Sequence, residues 1–229
     1  VKWDLGVNFS LNRSKVLVLS EDKDIFGGEL DNTILKDQLN LMRVGEPMYV
    51  FYGYVEDGYD ENGHIVYKNM DDDPAITAAD KTIIGDPNPD FLVNLTTAVS
   101  YKGFTLSAFF QSSIGNDIYS LSMAAQAYDY GYNGNTLREV YYNHWSPENP
   151  TAKYPNLDQT SYKMSDRFVY DGSFVRLKNL ELAYDVPCAR SKFIKRARVY
   201  VSAQNLFTIT SYPFWDPDIN ANGGGSSMI

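Results

Sequence analysis

The sequence predicts an all-β chain of antiparallel strands. Three observations predict it: sustained alternation of apolar and polar residues, a two-residue turn between two such runs, and the lack of any long apolar stretch. Residues 3 to 12 alternate throughout, with Trp3, Leu5, Val7, Phe9 and Leu11 on one side and Asp4, Gly6, Asn8, Ser10 and Asn12 on the other. A period of two with one wholly apolar face is a half-buried strand. In a soluble protein that face meets a core, whereas in a wide membrane barrel it meets lipid and the polar face lines the lumen. Alternation alone leaves both open.

Residues 91 to 101 and 104 to 115 carry the next pair of runs, Val93, Leu95, Thr97, Val99 and Tyr101 on one and Phe104, Leu106, Ala108 and Phe110 on the other. The connector Lys102-Gly103 is short enough to make them a hairpin. Within 173 to 186 the alternation changes phase: Val175 and Leu177 are apolar at odd positions, Leu180, Leu182, Tyr184 and Val186 at even ones. One inserted residue restores the register, so a β-bulge is expected near Lys178-Asn179. Residues 197 to 207 supply another strand, and the turns at 102–103 and 187–195 are expected at the same end of the sheet. Residues 116 to 165 lack alternation; Thr136-Leu137-Arg138-Glu139 has the form of a capping box and predicts a helix over 137 to 145, with a second over Ser120 to Tyr128. The stretch Asn220 to Ser227, rich in Gly, Asn and Ser, reads as a flexible tail.

Composition narrows the function. The net charge is −9, from 20 basic and 29 acidic residues, and no basic stripe interleaves with aromatics, which disfavours a nucleic-acid partner. No apolar run approaches the ~20 residues of a transmembrane helix. The 18 Tyr, 12 Phe and three Trp gather near the ends of the alternating runs, as in the aromatic girdles of barrels, although a sugar-binding β-sandwich has the same richness. The single Cys188 has no intramolecular partner for a disulfide.

Several stretches carry a family likeness: Asp171 to Pro187, Tyr200 to Thr208, Gly53-Tyr54, Asp57-Gly58, Asp80-Lys81-Thr82-Ile83-Ile84-Gly85-Asp86-Pro87-Asn88-Pro89-Asp90-Phe91, Tyr101-Lys102-Gly103-Phe104 and Asp216-Pro217-Asp218. In order and spacing they resemble the C-terminal barrel strands of the SusC/RagA family of TonB-dependent outer-membrane transporters. The resemblance covers residues 45 to 220. It implies a partial antiparallel transmembrane β-barrel, about six strands of a larger one, with long extracellular loops containing short helices. It further implies import of large nutrients, glycans or peptides, across the cell outer membrane of a Gram-negative bacterium. The partners implied are outer-membrane lipid, an oligosaccharide or peptide substrate, a SusD-like surface lipoprotein lid over the loops at 55–90 and 116–165, and TonB in the intact protein. On this reading residues 1–229 are the C-terminal part of the barrel, without plug domain or final strand, and the chain alone in water aggregates through its open edges. The alternative is a secreted carbohydrate-binding β-sandwich. The two separate on Val7, Leu95, Leu106 and Val201: exposed on one sheet in the barrel, interdigitated between two sheets in the sandwich.

One stretch has metal-ligand spacing. Numbered as a calcium loop, residues 69 to 80 place oxygens at positions 1, 3, 5, 9 and 12 through Asn69, Asp71, Asp73, Thr77 and Asp80, with the Ala75 carbonyl at 7. Pro74 stands where the sharp turn needs Gly, and Asp80 is shorter than the usual Glu. Calcium and a merely solvated acidic loop therefore both remain readings. No catalytic set is visible: His64 and His144 lie in separate loops without nucleophile or zinc spacing, and Asp57 and Glu61 read as turn residues rather than a glycosidase pair. The chain is expected not to be an enzyme. Tyr141, Tyr142, Trp145, Tyr212, Phe214 and Trp215 are candidates for stacking on sugar rings, or for girdle and loop packing.

Overall fold

The computed structural model describes residues 1–27, 29–31, 35–128, 135–188 and 193–218. Two compact units divide them: residues 1–12, 89–116 and 172–218 form one, and residues 13–88 and 117–171 belong to the other.

The first unit is a five-stranded antiparallel meander. Its strands are β1 (Lys2–Ser10), β2 (Phe91–Tyr101), β3 (Phe104–Ile114), β4 (Phe174–Val186) and β5 (Ala197–Thr210), paired in that order. About six strands were expected; five join this sheet. The register aligns the apolar residues into rows that cross every strand. Trp3, Val99, Leu106, Leu182 and Val201 stand opposite one another, and so do Val7, Leu95, Phe110, Leu177 and Phe207. Most of this face is open: Val7 is 66% exposed, Leu106 49% and Val201 67%, while Leu95 is half-buried and Leu177, beside the bulge, is buried at 6%. Nothing interdigitates with it among the described residues, so the barrel reading holds and the sandwich is not favoured.

The hairpin turn is the expected one. Tyr101 pairs with Phe104, and Lys102 and Gly103 both take positive φ, 48° and 88°, the twist a two-residue turn needs. A Cβ on Gly103 would meet the Tyr184 ring at 3.1 Å, so glycine fits for space as well as backbone. The β4 to β5 connector opens at this same end, beside Val186 and Ala197, as expected, although residues 189–192 of it lie outside the described ones. The bulge is also where the phase change puts it. On the β3 side Lys178 is skipped between Leu177 and Asn179; on the β5 side the shift absorbs Asn205 and Leu206, with Asn205 at φ 51°.

The second unit is a folded assembly of loop segments with its own core of Leu35, Leu39, Leu41, Val50, Phe51, Tyr119, Met164 and Phe168. A four-stranded sheet orders Ile25–Phe26, Asn40–Met42, Val50–Gly53 and Thr82–Gly85, and Glu56–Tyr59 pairs with Ile65–Tyr67. Helix α1 spans Leu121–Tyr128, as expected. Helix α2 spans only Arg138–Tyr142, and its N-cap is Leu137 without a side-chain cap. The expected capping box does not form, because the Thr136 hydroxyl donates to the Gln126 carbonyl (3.0 Å) instead. The tail from 219 onward, including the glycine run, lies outside the described residues.

Candidate functional site

The polar face of the five-stranded sheet is as continuous as the apolar one. Asn8, Asn94, Gln111, Arg176 and Thr208 share one row, and Asp4, Ala98, Ser107, Glu181 and Ser202 another. Strict alternation places them there, and the bulge at Lys178 keeps both ends of β4 in phase with their neighbours.

On this face Arg176 is almost fully buried and organises the segment that follows β5. Its Nε donates to the Thr208 hydroxyl (2.9 Å), its terminal nitrogens donate to the carboxylates of Asp216 and Asp218 (3.3 Å to the latter), and its guanidinium lies over the Phe174 ring at 5.2 Å. Lys178 adds a second cation 3.7 Å from Asp218. A forked guanidinium satisfies several acceptors at fixed angles, which is why one arginine holds both aspartates. Burial works to raise the Asp216 carboxyl, but the Asp218 amide and Arg176 outweigh it and hold it below the ordinary carboxylate range. The Asp-Pro-Asp motif is thus a strap folded back over the polar face.

The loop unit is held by contacts between segments far apart in sequence. Glu56 accepts from the Arg167 Nε (2.7 Å) and from the Ser165 hydroxyl (2.6 Å), and Arg167 also donates to the Tyr59 hydroxyl (3.1 Å). Burial by itself would lower the Arg167 pKa, yet the Glu56 carboxylate outweighs it and the net shift is upward. Burial raises Tyr67, and it raises Tyr154 to about 12 with help from Glu139. Gly53 lets two backbones touch: a Cβ there would lie 2.7 Å from the Met164 carbonyl, which accepts from the Tyr54 amide at 2.8 Å. This is the physical content of the Gly-Tyr pair.

Comparison with known proteins follows from this geometry. No family model matches the chain. Over 95% of its length it is 32% identical to TonB-dependent receptor P3 of Formosa agariphila, of which it covers 23%. It is 28% identical over 96% of its length to the TonB-dependent receptor SusC of Bacteroides thetaiotaomicron, covering 22% of that protein. Among solved structures it overlays the RagAB peptide transporter with a TM-score of 0.76 at 24% identity, 94% of this chain on 24% of that one. The RagAB peptide importer in its closed-closed state gives 0.75 at 26% identity, 99% on 26%. This chain is SusC/RagA-like. It spans about a quarter of the length of the relatives it matches.

The SusC/RagA-like motifs now have places. Within Asp80 to Phe91, Asp80 is fully buried and accepts from the amides of Met70 and Thr77, both at 2.7 Å, while Lys81 grips both oxygens of Asp37 (2.7 and 2.6 Å). The Met70 and Thr77 amides hold Asp80 below the ordinary carboxylate range. With Thr77 accepting from Ala79 (3.2 Å), a capping box forms here, where the sequence reading placed ligand positions. The other calcium candidates also turn onto backbone: Asn69 accepts from Asp71 (3.1 Å), Asp71 from Asp73 (2.8 Å), and Asp73 from the amide of Ala75 (3.0 Å). No three His, Cys, Asp or Glu side chains gather as a metal cluster among the described residues.

The remaining candidates separate. His64 meets Asp158 (2.9 Å) and His144 the Tyr141 carbonyl (2.8 Å), each in its own loop. Tyr212 is buried, and Trp145 covers the backbone of Gly63, so both serve packing. Tyr141, Tyr142 and Trp215 stand exposed. Arg176 and the Glu56–Arg167 pair escape the sequence reading. Their only signal is a charged residue inside or beside a strand.

Proposed function

We propose that this chain forms wall and outer loops of a TonB-dependent transporter in the outer membrane of a Gram-negative bacterium, importing glycans or peptides with a SusD-like lipoprotein over its loops. One observation carries the reading: a sheet with one apolar face that exposes large apolar side chains on all five strands, and one continuous polar face. In water that face has no partner; in a bilayer it is matched, and closure by further strands satisfies the backbone at both edges. Aromatic residues mark both ends of the apolar face. Tyr101, Phe104 and Tyr184 stand at the turn end, and Phe9 meets Phe91 at the other with ring centres 5.6 Å apart. Relatives named as receptors and importers support transport rather than catalysis.

Deletion of the gene, followed by growth on single glycans and on peptides as sole nutrient, tests the function. Loss of growth on one class, restored by the intact gene, supports it; undiminished growth on all of them refutes it. Calcium at residues 69–80 is a separate proposal resting on oxygen spacing alone. An ion would have to exchange the backbone turns for coordination, so its affinity should lie near ~1 mM. A rise in loop melting temperature at ~10 mM calcium, absent at ~0.1 mM, is the expected result, and no rise at the higher level removes the metal.

A further inference from the structure

We infer that the turn end of the five-stranded sheet binds anionic phospholipid headgroups of the inner leaflet, through Lys102, Lys195 and Arg196 set beside exposed Phe193 and Ile194. The inference rests on the barrel reading and adds to it a partner at one membrane surface.

The outermost aromatic row of the apolar face at this end runs through Tyr101, Phe104, Tyr184 and Val199. Phe104 and Tyr184 lie with ring centres 4.5 Å apart, and Tyr101 and Phe104 are both exposed. Such rings mark the level at which hydrocarbon gives way to headgroups. Lys102 stands just past them, its ammonium 5.2 Å from the centre of the Tyr101 ring. Tyr101 belongs to the apolar rows, so this ammonium lies on the lipid side of the turn rather than the lumen side. On the connector that enters β5, Phe193 is 96% exposed and Ile194 53%. Lys195 and Arg196 follow, both exposed, and lead directly into the strand at Ala197. Cations next to exposed apolar side chains suit the headgroup boundary, where the apolar groups dip toward the acyl chains and the charges stay level with the phosphates.

Charge selects the occupant. The chain carries a net −9, yet the cations on the lipid side of this end keep no carboxylate partner. Lys2 and Arg198, which stand on the polar face, are taken up by Asp4 (2.9 Å) and Glu181 (3.3 Å). Asp185 shares the row of Arg198 on that same face. Among the described residues, Lys102, Lys195 and Arg196 have no ion pair. A zwitterionic headgroup brings its own cation to each phosphate, so three free cations favour a headgroup with net negative charge. Tight turns border the periplasm and long loops the outside, which makes the leaflet met here the inner one.

The test uses the intact protein in vesicles of phosphatidylcholine and phosphatidylglycerol, with a benzoylphenylalanine photoprobe replacing Phe193 or, on the polar face at the same end, Ser100. Lipid captured on irradiation is identified by mass spectrometry, and only protein that keeps the heat-modifiable gel migration of a folded barrel is scored. At position 193 phosphatidylglycerol should be captured about fivefold or more above its share of the bilayer. Combining Lys102→Gln, Lys195→Gln and Arg196→Gln should return capture to that share, as should ~1 M salt, whereas Lys102→Arg with Lys195→Arg should keep the preference. Capture at 193 in proportion to bulk composition, a preference unchanged in the triple glutamine variant, or its loss to inorganic phosphate at constant ionic strength overturns the inference and leaves the barrel standing. Lipid captured at 100 as readily as at 193, or at neither position, overturns the barrel reading and the inference with it.

Discussion

Arginine placed on either face of β2 tests the orientation of the sheet, because the two faces predict opposite costs. Phe91 and Tyr101 are the aromatic ends of the apolar face on this strand. Ten residues apart, they span ~34 Å along the strand at ~3.4 Å per residue, or ~26 Å of membrane depth at a tilt of ~40°. That matches the ~25 Å apolar band of outer-membrane barrels. Leu95 lies between them in the row with Val7, Phe110, Leu177 and Phe207, close to the midplane. Leu95→Arg should therefore cost about 2–4 kcal/mol, a factor of about 30 to 900 in the folding equilibrium. Thr96→Arg, one residue away on the polar face, should stay within about 0.5 kcal/mol, and Tyr101→Arg should cost about 0–1 kcal/mol. Urea titration of the intact protein folded into lipid vesicles, followed by tryptophan fluorescence, measures all three. Equal costs at 95 and 96, or a larger one at 96, would refute the assignment of faces.

Glu56→Gln leaves the half-buried Arg167 without its carboxylate and should destabilise the loop unit by about 1–3 kcal/mol, read as faster amide exchange across 54–67 and 162–168; unchanged exchange would show the pair to be idle. Asp80 has a folded pKa below its unfolded value, so its contribution is complete above ~pH 4 and fades as pH falls through the lowered value. Loop melting should track that fall in the wild type and lose this component in Asp80→Asn; identical acid profiles would exclude Asp80 as the cause. Lys102→Asn relieves a left-handed lysine at the hairpin turn and should stabilise the folded protein by about 1 kcal/mol in the same urea titration, whereas a loss would mean the lysine ammonium over the Tyr101 ring matters more.

The strands were legible because each is a local pattern. Trp3 to Phe9 and Val93 to Tyr101 announce a face at every second residue, and the slip between Leu177 and Leu180 announces the bulge. What covers the apolar face was not legible from period two, which is the same against lipid or against a second sheet. The loop unit hid for a different reason: Glu56 meets Arg167 across 111 residues, and no spacing rule links them. Thr136 has the pattern of a cap but donates elsewhere, while Thr77 and Asp80 form a capping box at positions whose spacing also suits a cation, because both duties call for oxygens at short intervals. The Asp-Pro-Asp strap was visible as a motif and silent as a mechanism until Arg176 was placed beneath it.

The span between Glu56 and Arg167 also dictates a timetable. Closing a loop of that length carries an entropic penalty that must be met before either residue gains anything, and the hairpin of β2 and β3 is threaded between them in sequence. The strands within 25–85 can pair among themselves, but Glu56 and its neighbours must wait for 117–171 to find them. During that interval Glu56 and the tyrosines destined for the interior lie open to water, so the chain is most vulnerable to proteases and to wrong partners late in its assembly rather than early.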